Sequence, residues 1–237
     1  MTAETAAQFA VRMDAITTEE LVARGSMKWT AFPESLPAWV AEMDFGIAPE
    51  IRAAVQDALD RDLTGYVPAS LRLDLKRAAA DFQADRYGWT LDPARVTWLP
   101  DVLTGLAFVL THLMPHARKL AVLTPCYMPF MEMPQAWSRE LIQVPMRREA
   151  NDWTVDYDGL AAAFAAGAEL LIFANPHNPI GKVYDRAELL RISDIVEAHG
   201  ARVFSDEIHA PLTFPGVTHI PYASISGVAA EHGITAD

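Results

Sequence analysis

The chain has 237 residues, of which 51% are apolar and 21% charged, and its formal net charge is −12. This apolar fraction is enough to fill a hydrophobic core and excludes a disordered polymer. An acidic chain repels phosphate backbones, so nucleic acid is excluded as a partner, although a locally positive pocket for a small anion remains compatible with the composition.

Redox and targeting features are those of a soluble cytoplasmic protein. The single cysteine, Cys126, cannot form an internal disulfide, which favours a reducing compartment. The N-terminal residues lack the basic run and apolar core of a signal peptide, and no stretch approaches the ~20 apolar residues that span a bilayer. We therefore expect no membrane partner.

The chain changes character near residue 48. Up to that point it is largely irregular, with one helix predicted around Thr18–Arg24 and a proline-marked segment after it. From Pro49 apolar residues recur at helical spacing, and a second amphipathic helix is predicted over Ser70–Tyr87. We therefore divide the chain into an N-terminal arm, residues 1–48, and one large domain, residues 49–237.

Strands and helices alternate in the rest of the chain. Strands are predicted at 96–99, 119–124, 140–145, 169–174 and 201–206, and helices at 102–114, within 126–137, at 155–166 and at 185–199. This alternation predicts an α/β fold in which a mostly parallel sheet is covered by helices on both faces. Ligands of such sheets bind beyond the carboxyl ends of the strands, so chemistry is expected in the loops after Leu99, Thr124, Ala174 and Ser205.

Several common catalytic motifs are missing. The sequence contains no GxGxxG, GxxxxGK[ST], HExxH or GxSxG, which argues against the dehydrogenase, nucleoside triphosphatase, zinc protease and α/β-hydrolase classes. The seven histidines show no close metal-ligand spacing, so no metal site is predicted.

Four motifs remain, each where a predicted strand ends. NPHNPIG (175–181) has two Asn-Pro pairs that force a tight turn, and a plain strand-to-helix connection is the alternative interpretation. SDEIH (205–209) places a carboxylate that either binds a cation or caps the next turn. TPCYMPF (124–130) holds Tyr127 between prolines, where it either stacks on a flat ring or packs as an ordinary aromatic residue.

The fourth motif, PDVLTGL (100–106), begins a helix. The first amides of a helix form a natural phosphate site, although every helix has such an end. A phosphate site, a stacking aromatic, an amide and a carboxylate at one edge of a sheet would together hold a phosphorylated aromatic heterocycle.

With these motifs the sequence resembles the fold-type-I pyridoxal 5′-phosphate (PLP) enzymes of the class I/II aminotransferase superfamily. It is most similar to the cystathionine β-lyase and cystalysin branch, through KWTAFPESLPAWVAEMDFG (28–46), TGYVP (64–68) and the four motifs above. The resemblance covers nearly the whole chain. It implies PLP as the cofactor, a PLP-dependent transferase-like large domain, part of a small domain within residues 1–48, and a C-terminal domain that is absent.

The resemblance also implies roles for individual residues. The backbone at Val102 and Leu103 should meet the cofactor phosphate, and Tyr127 should stack on the pyridine ring. Asn178 should hydrogen-bond the ring hydroxyl. Asp206 should pair with the protonated ring nitrogen, which keeps the ring able to withdraw electrons from a substrate carbanion.

Three further positions are assigned by the same resemblance. His209 lies where related proteins place a neighbour of the ring hydroxyl. Tyr66 resembles the tyrosine that reaches the phosphate of the other subunit's cofactor, which implies a homodimer. The Ala41–Phe45 segment is expected near the substrate, with Asp44 on the substrate side.

The sequence departs from the family pattern in two places. The Schiff-base lysine of the family is expected beyond Asp237, and the lysines present do not match its motif: Lys28, Lys76, Lys119 and Lys182. Lys182 is expected to be solvated. Asp101 and Thr104 stand where many relatives have Gly and Pro, and a carboxylate there would repel a phosphate unless its side chain turns away.

The resemblance implies a PLP-dependent carbon–sulfur β-lyase that releases a thiol, pyruvate and ammonia from S-substituted cysteines such as cystathionine. A PLP-dependent aminotransferase is the first alternative, because the cofactor residues serve both reactions. A non-catalytic fragment that lacks the Schiff-base lysine is the second. The substrate class is a small amino acid in the first two cases.

Overall fold

The computed structural model describes residues 5–150 and 152–237, and the chain divides into two compact units, Met1–Val67 and Pro68–Asp237. The described helices of the first unit are α1 (Ala6–Asp14), α2 (Thr18–Ala23), α3 (Met27–Thr30) and α4 (Pro49–Asp60). Reciprocal capping boxes fix the starts of α1 and α2. The predicted helices at 18–24 and from Pro49 are confirmed, whereas α1 and α3 lie in a stretch that was expected to be irregular.

The second unit alternates helices and strands. Its helices are α5 (Ala69–Tyr87), α6 (Val102–Phe108, continued by a π-helical turn Val109–Leu113), α7 (Pro129–Ala136), α8 (Tyr157–Ala165), α9 (Arg186–Ala198) and α10 (Gly227–His232). Its strands are β1 (Lys119–Thr124), β2 (Glu140–Pro145), β3 (Arg147–Glu149), β4 (Asp152–Thr154), β5 (Leu170–Ala174), β6 (Arg202–Asp206) and β7 (Gly233–Ala236). Short 3₁₀ turns occur at Pro93–Arg95 and Tyr222–Ser224. None of the helices in the described ranges is long and apolar enough to cross a membrane.

Five strands form one sheet in the order β2-β1-β5-β6-β7, and every described pairing in it is parallel. β3 and β4 form a separate antiparallel pair. The predicted α/β class with a parallel sheet and helices is confirmed. All carboxyl ends of the large sheet therefore meet at one edge.

The sheet is covered on both faces, and alternate residues of each strand enter different cores. On one face Leu123, Phe173 and Val203 belong to a cluster that includes residues of α8, α9 and α10. On the other face Leu120, Val122, Ile172 and Phe204 belong to a cluster that includes residues of α6 and α7. β5 is buried along its whole length, as its continuous apolar run predicts.

The strand predicted at 96–99 is wrong. Val96 has extended backbone angles, but this segment pairs with no strand among the residues that the structure describes, and Trp98 and Leu99 are exposed. Apolar β-branched and aromatic residues favour extended backbone, but a strand also requires a hydrogen-bonded neighbour. β3, β4 and β7 were not predicted, because they are short and lack a run of large apolar residues.

Candidate functional site

The carboxyl ends of β1, β5 and β6 lie side by side at one edge of the sheet. The loop after β1 contains Tyr127, the loop after β5 contains Asn178, and β6 ends at Asp206. The N–H of Asn175 donates to the carbonyl of Asp206 at 2.9 Å, so the loop after β5 begins alongside the end of β6. The predicted motifs are thus gathered where a parallel sheet places its ligands.

Asp206 is a buried carboxylate at the end of β6. Its residue is 6% exposed, and Oδ1 accepts the N–H of Ile208 at 3.2 Å. Burial raises the pKa of Asp206 to about 6, although the Ile208 amide and the nearby His209 act in the opposite direction. No ion pair to it occurs within residues 5–150 and 152–237. It is a buried acid without a cationic partner in this part of the chain.

The neighbouring Glu207 is also buried, but its oxygens are fully engaged. Oε2 lies 2.8 Å from Nε2 of His219, while Oε1 accepts the hydroxyl of Ser205 at 2.7 Å and the N–H of Tyr222 at 2.9 Å. These bonds join Glu207, at the start of the segment after β6, to His219 and Tyr222 near its end. His209 belongs to that segment. Neither Glu207 nor His219 was singled out from the sequence.

Asn178 and His209 line one cavity of about 710 Å³, together with residues of the 212–217 segment and Lys182. The expectation that Lys182 is solvated is wrong, because its side chain is only 9% exposed. Its Nζ lies 3.0 Å from Glu188 and 3.4 Å from Asp152, and it approaches the ring of Tyr184. Both carboxylates contact this amine, so Lys182 is engaged in ion pairs within the cavity wall.

Tyr127 is half exposed and lies edge-on against Phe130, with ring centroids 5.3 Å apart. The ring thus packs against Phe130, while 36% of the residue remains exposed. An aromatic ring in this state can stack on a flat ligand, which ordinary complete burial would prevent.

The helix α6 begins with a side-chain cap. Asp101 accepts the N–H of Thr104 at 2.7 Å and its hydroxyl at 3.1 Å, so the carboxylate is turned onto the first helical turn. The amides of Val102 and Leu103 lie before the first intrahelical bond and have no acceptor among the described residues. A methyl group on Gly105 would lie 3.7 Å from the Phe204 ring and 3.9 Å from the Cβ of Ala236, which places this turn beside β6 and β7.

The Asp101 cap gives a testable stability effect. We expect Asp101→Ala to lower the free energy of unfolding by about 1 kcal/mol, because the Thr104 amide loses its acceptor. Asp101→Asn keeps an acceptor in the same place and is the matched control. Urea denaturation measures both variants, and an equal loss in the Asn variant would contradict the capping role.

Asp44 and Tyr66 belong to the first unit and are described within it. Asp44 accepts Lys28 Nζ at 2.8 Å and Trp29 Nε1 at 2.7 Å, and its backbone carbonyl accepts a guanidinium N–H of Arg24 at 2.7 Å. Hydrogen bonds from Lys28 and then Trp29 lower the pKa of Asp44. The side chain of Tyr66 is fully exposed. Asp44 thus anchors the 41–45 segment onto the segment that contains Lys28 and Trp29.

Comparison with known proteins identifies the family of this chain. Residues 40–235 match the family described as aminotransferase class I and II. The chain belongs to this family. It is 39% identical to the cystathionine β-lyase of Corynebacterium glutamicum over 218 residues, which cover 92% of this chain and 57% of that protein.

Two further relatives extend the likeness. The cystathionine β-lyase PatB of Bacillus subtilis is 31% identical, over 92% of this chain and 57% of its own length. The crystal structure of cystalysin from Treponema denticola, which contains PLP, matches with a TM-score of 0.83 at 27% identity, over 93% of this chain and 57% of that chain. The family interpretation made from the motifs is confirmed. The chain spans a little over half the length of the relatives it matches.

Proposed function

We propose that the edge formed by β1, β5 and β6 is a PLP site. The observation that carries the proposal is Asp206, a buried carboxylate whose Oδ2 has no hydrogen-bond donor among the described residues and whose pKa is raised by burial. A protonated pyridine nitrogen is the cation that such a group lacks. The half-exposed Tyr127 ring and the open amides of α6 fit a flat, phosphorylated partner.

Each residue has a distinct part in this proposal. Asp206 accepts the N–H of the ring nitrogen, Asn178 donates to the ring hydroxyl, and Tyr127 covers one face of the ring. The amides of Val102 and Leu103 bind the phosphate. When bound, PLP withdraws electrons from the substrate α-carbon, and Asp206 sustains this by keeping the ring nitrogen protonated.

The same proposal assigns roles to three other residues. His209 lies beside the ring hydroxyl, on the cavity that Asn178 also lines. Tyr66 serves the phosphate of the other subunit in a homodimer. Asp44 is assigned to the substrate side, and its hydrogen bonds order the 41–45 segment. Residues 1–48 act as the N-terminal arm and part of the small domain, and residues 49–237 form the large domain.

For the reaction, we infer a carbon–sulfur β-lyase that acts on S-substituted cysteines in the cytoplasm. Its support is the 39% and 31% identity to two cystathionine β-lyases over 92% of this chain. An aminotransferase is the second candidate, favoured by the family to which the chain belongs. Both reactions use the same cofactor residues, so product analysis must distinguish them.

The reaction class is tested on the natural protein loaded with PLP. With cystathionine we expect pyruvate and ammonia in equal amounts. A coupled assay with lactate dehydrogenase measures the pyruvate, and a separate assay measures the ammonia. A matched reaction contains a keto-acid acceptor. Amino transfer to that acceptor without pyruvate would overturn the lyase proposal in favour of the aminotransferase, and no turnover of any amino acid by the PLP-bound protein would favour a non-catalytic role.

A further inference from the structure

His177 is a buried histidine inside the Asn-Pro loop, the segment 175–181. Its residue is 2% exposed, and the sequence motif assigned it no function. A buried imidazole must find a partner for each ring nitrogen, since an unpaired polar atom in the interior is costly. The partners of His177 therefore show what the side chain holds together.

Both ring nitrogens have partners on other elements. Nε2 lies 2.9 Å from the carbonyl oxygen of Pro125, and Nδ1 lies 2.7 Å from the hydroxyl of Tyr184. A carbonyl oxygen only accepts, so Nε2 carries the proton and Nδ1 accepts the Tyr184 hydroxyl. Burial lowers the pKa of His177, which keeps the imidazole in this neutral form.

The backbone of His177 closes the same loop. Its N–H donates to the carbonyl of Lys182 at 2.7 Å, and its carbonyl accepts the N–H of Gly181 at 2.8 Å. Tyr184, its side-chain partner, is buried against Phe173 of β5 with ring centroids 4.8 Å apart. The imidazole is thus held by the core on one side and reaches the loop after β1 on the other.

We propose that His177 is a positioning residue, whose bond to Pro125 sets the Asn-Pro loop and the loop after β1 at the spacing that the cofactor needs. His177 directly precedes Asn178, and Pro125 lies two positions before Tyr127. One hydrogen bond therefore couples the residue assigned to the ring hydroxyl with the residue assigned to the ring face. The inference rests on the proposed PLP site and adds a residue that does not itself touch the cofactor.

The test separates the two bonds of the imidazole with matched amide variants of the 237-residue chain. His177→Gln places an N–H donor near the position of Nε2 and keeps the bond to Pro125. His177→Asn places an acceptor near Nδ1, which keeps the bond to Tyr184 and loses the bond to Pro125. Tyr184→Phe removes the other partner and leaves the link between the loops. PLP itself is the probe. Absorbance titration measures its dissociation constant, and circular dichroism measures the signal that its absorption band acquires when it is bound.

We expect His177→Asn to weaken PLP binding by about 3- to 10-fold, the value of one net hydrogen bond, and to reduce the circular dichroism of the bound cofactor. His177→Gln should restore both towards wild type, and Tyr184→Phe should lower thermal stability with little change in either. A side chain that only fills space would give equal affinities and spectra for the Asn and Gln variants, which would overturn the inference.

Two controls keep the test decisive. If His177→Asn does not melt cooperatively, His177→Met replaces it as a variant that fills the site without a donor, and wild-type affinity in that variant would overturn the inference. Wild-type protein that binds no PLP would overturn the proposed cofactor site, whereas wild-type binding with an unaffected His177→Asn variant would overturn the positioning role alone.

Discussion

Asp206→Asn should weaken PLP binding by about 30- to 5,000-fold. Losing one partner of a buried, hydrogen-bonded charge pair costs about 2–5 kcal/mol, and this range converts directly to that change in the dissociation constant. Asparagine has nearly the same shape and still accepts the Ile208 N–H, so the variant removes the charge and little else. Absorbance titration with PLP measures the change.

Asp194→Asn provides the matched control for this prediction. Asp194 is exposed on α9, so the same chemical change there should leave the PLP dissociation constant within about twofold, a small effect typical of surface substitutions. Equal affinities of wild type and Asp206→Asn would show that the carboxylate does not pair with the ring nitrogen.

The same carboxylate should make the cofactor-free protein less stable at neutral pH than at acidic pH. Well below pH 3.8 Asp206 is protonated in both states and contributes nothing. As the pH rises the unfolded chain ionises near 3.8 while the folded chain stays protonated up to about 6, so the free energy of unfolding falls across this window. A pKa rise of this size corresponds to roughly 3 kcal/mol at pH 7.

Asp206→Asn removes the cost of ionising a buried carboxylate. Comparing the variant with wild type therefore separates the effect of Asp206 on stability from that of the other titrating groups. We expect the stability difference between the variant and wild type to grow in favour of the variant from pH 4 to pH 7, by up to roughly 3 kcal/mol. Urea denaturation at several pH values without PLP provides the measurement. A difference that stays constant with pH would mean that burial does not perturb Asp206. A variant that is more stable yet binds PLP worse is the signature of a residue kept for function.

The sequence was most informative where local and tertiary preferences agree. Buried runs such as Leu170–Ala174 carry their own strand signal, and the helices after them have capping residues, Asp185 being one. The location of the motifs could also be predicted, because parallel strands bring their carboxyl ends to one edge of the sheet whatever the loops contain.

Other features depend on contacts that no local pattern records. The 96–99 segment has strand-like residues but no neighbouring strand in the described part of the chain, and β7 has a neighbour but only short, small residues. Lys182 resembles a surface residue in sequence, but its Nζ contacts Glu188 on the next helix and Asp152, which lies 30 positions away. The partners of His177 lie 7 and 52 positions away along the chain, so no local pattern records this link.

The Asp101 position shows how a side chain can resolve an apparent conflict. A carboxylate at a phosphate-binding helix start is unfavourable by charge alone. In the structure it is turned onto Thr104, the other residue that departs from the family pattern, so the two substitutions form one cap. The resemblance implies both departures, but their pairing is visible only in three dimensions.

A crystal structure of this chain with PLP tests the central proposal most directly. We expect the ring nitrogen within hydrogen-bond distance of Asp206, one ring face against Tyr127, and the phosphate at the amides of Val102 and Leu103. PLP bound elsewhere on the chain, or in this place with its ring nitrogen directed away from Asp206, would contradict the assignment of this edge as the cofactor site.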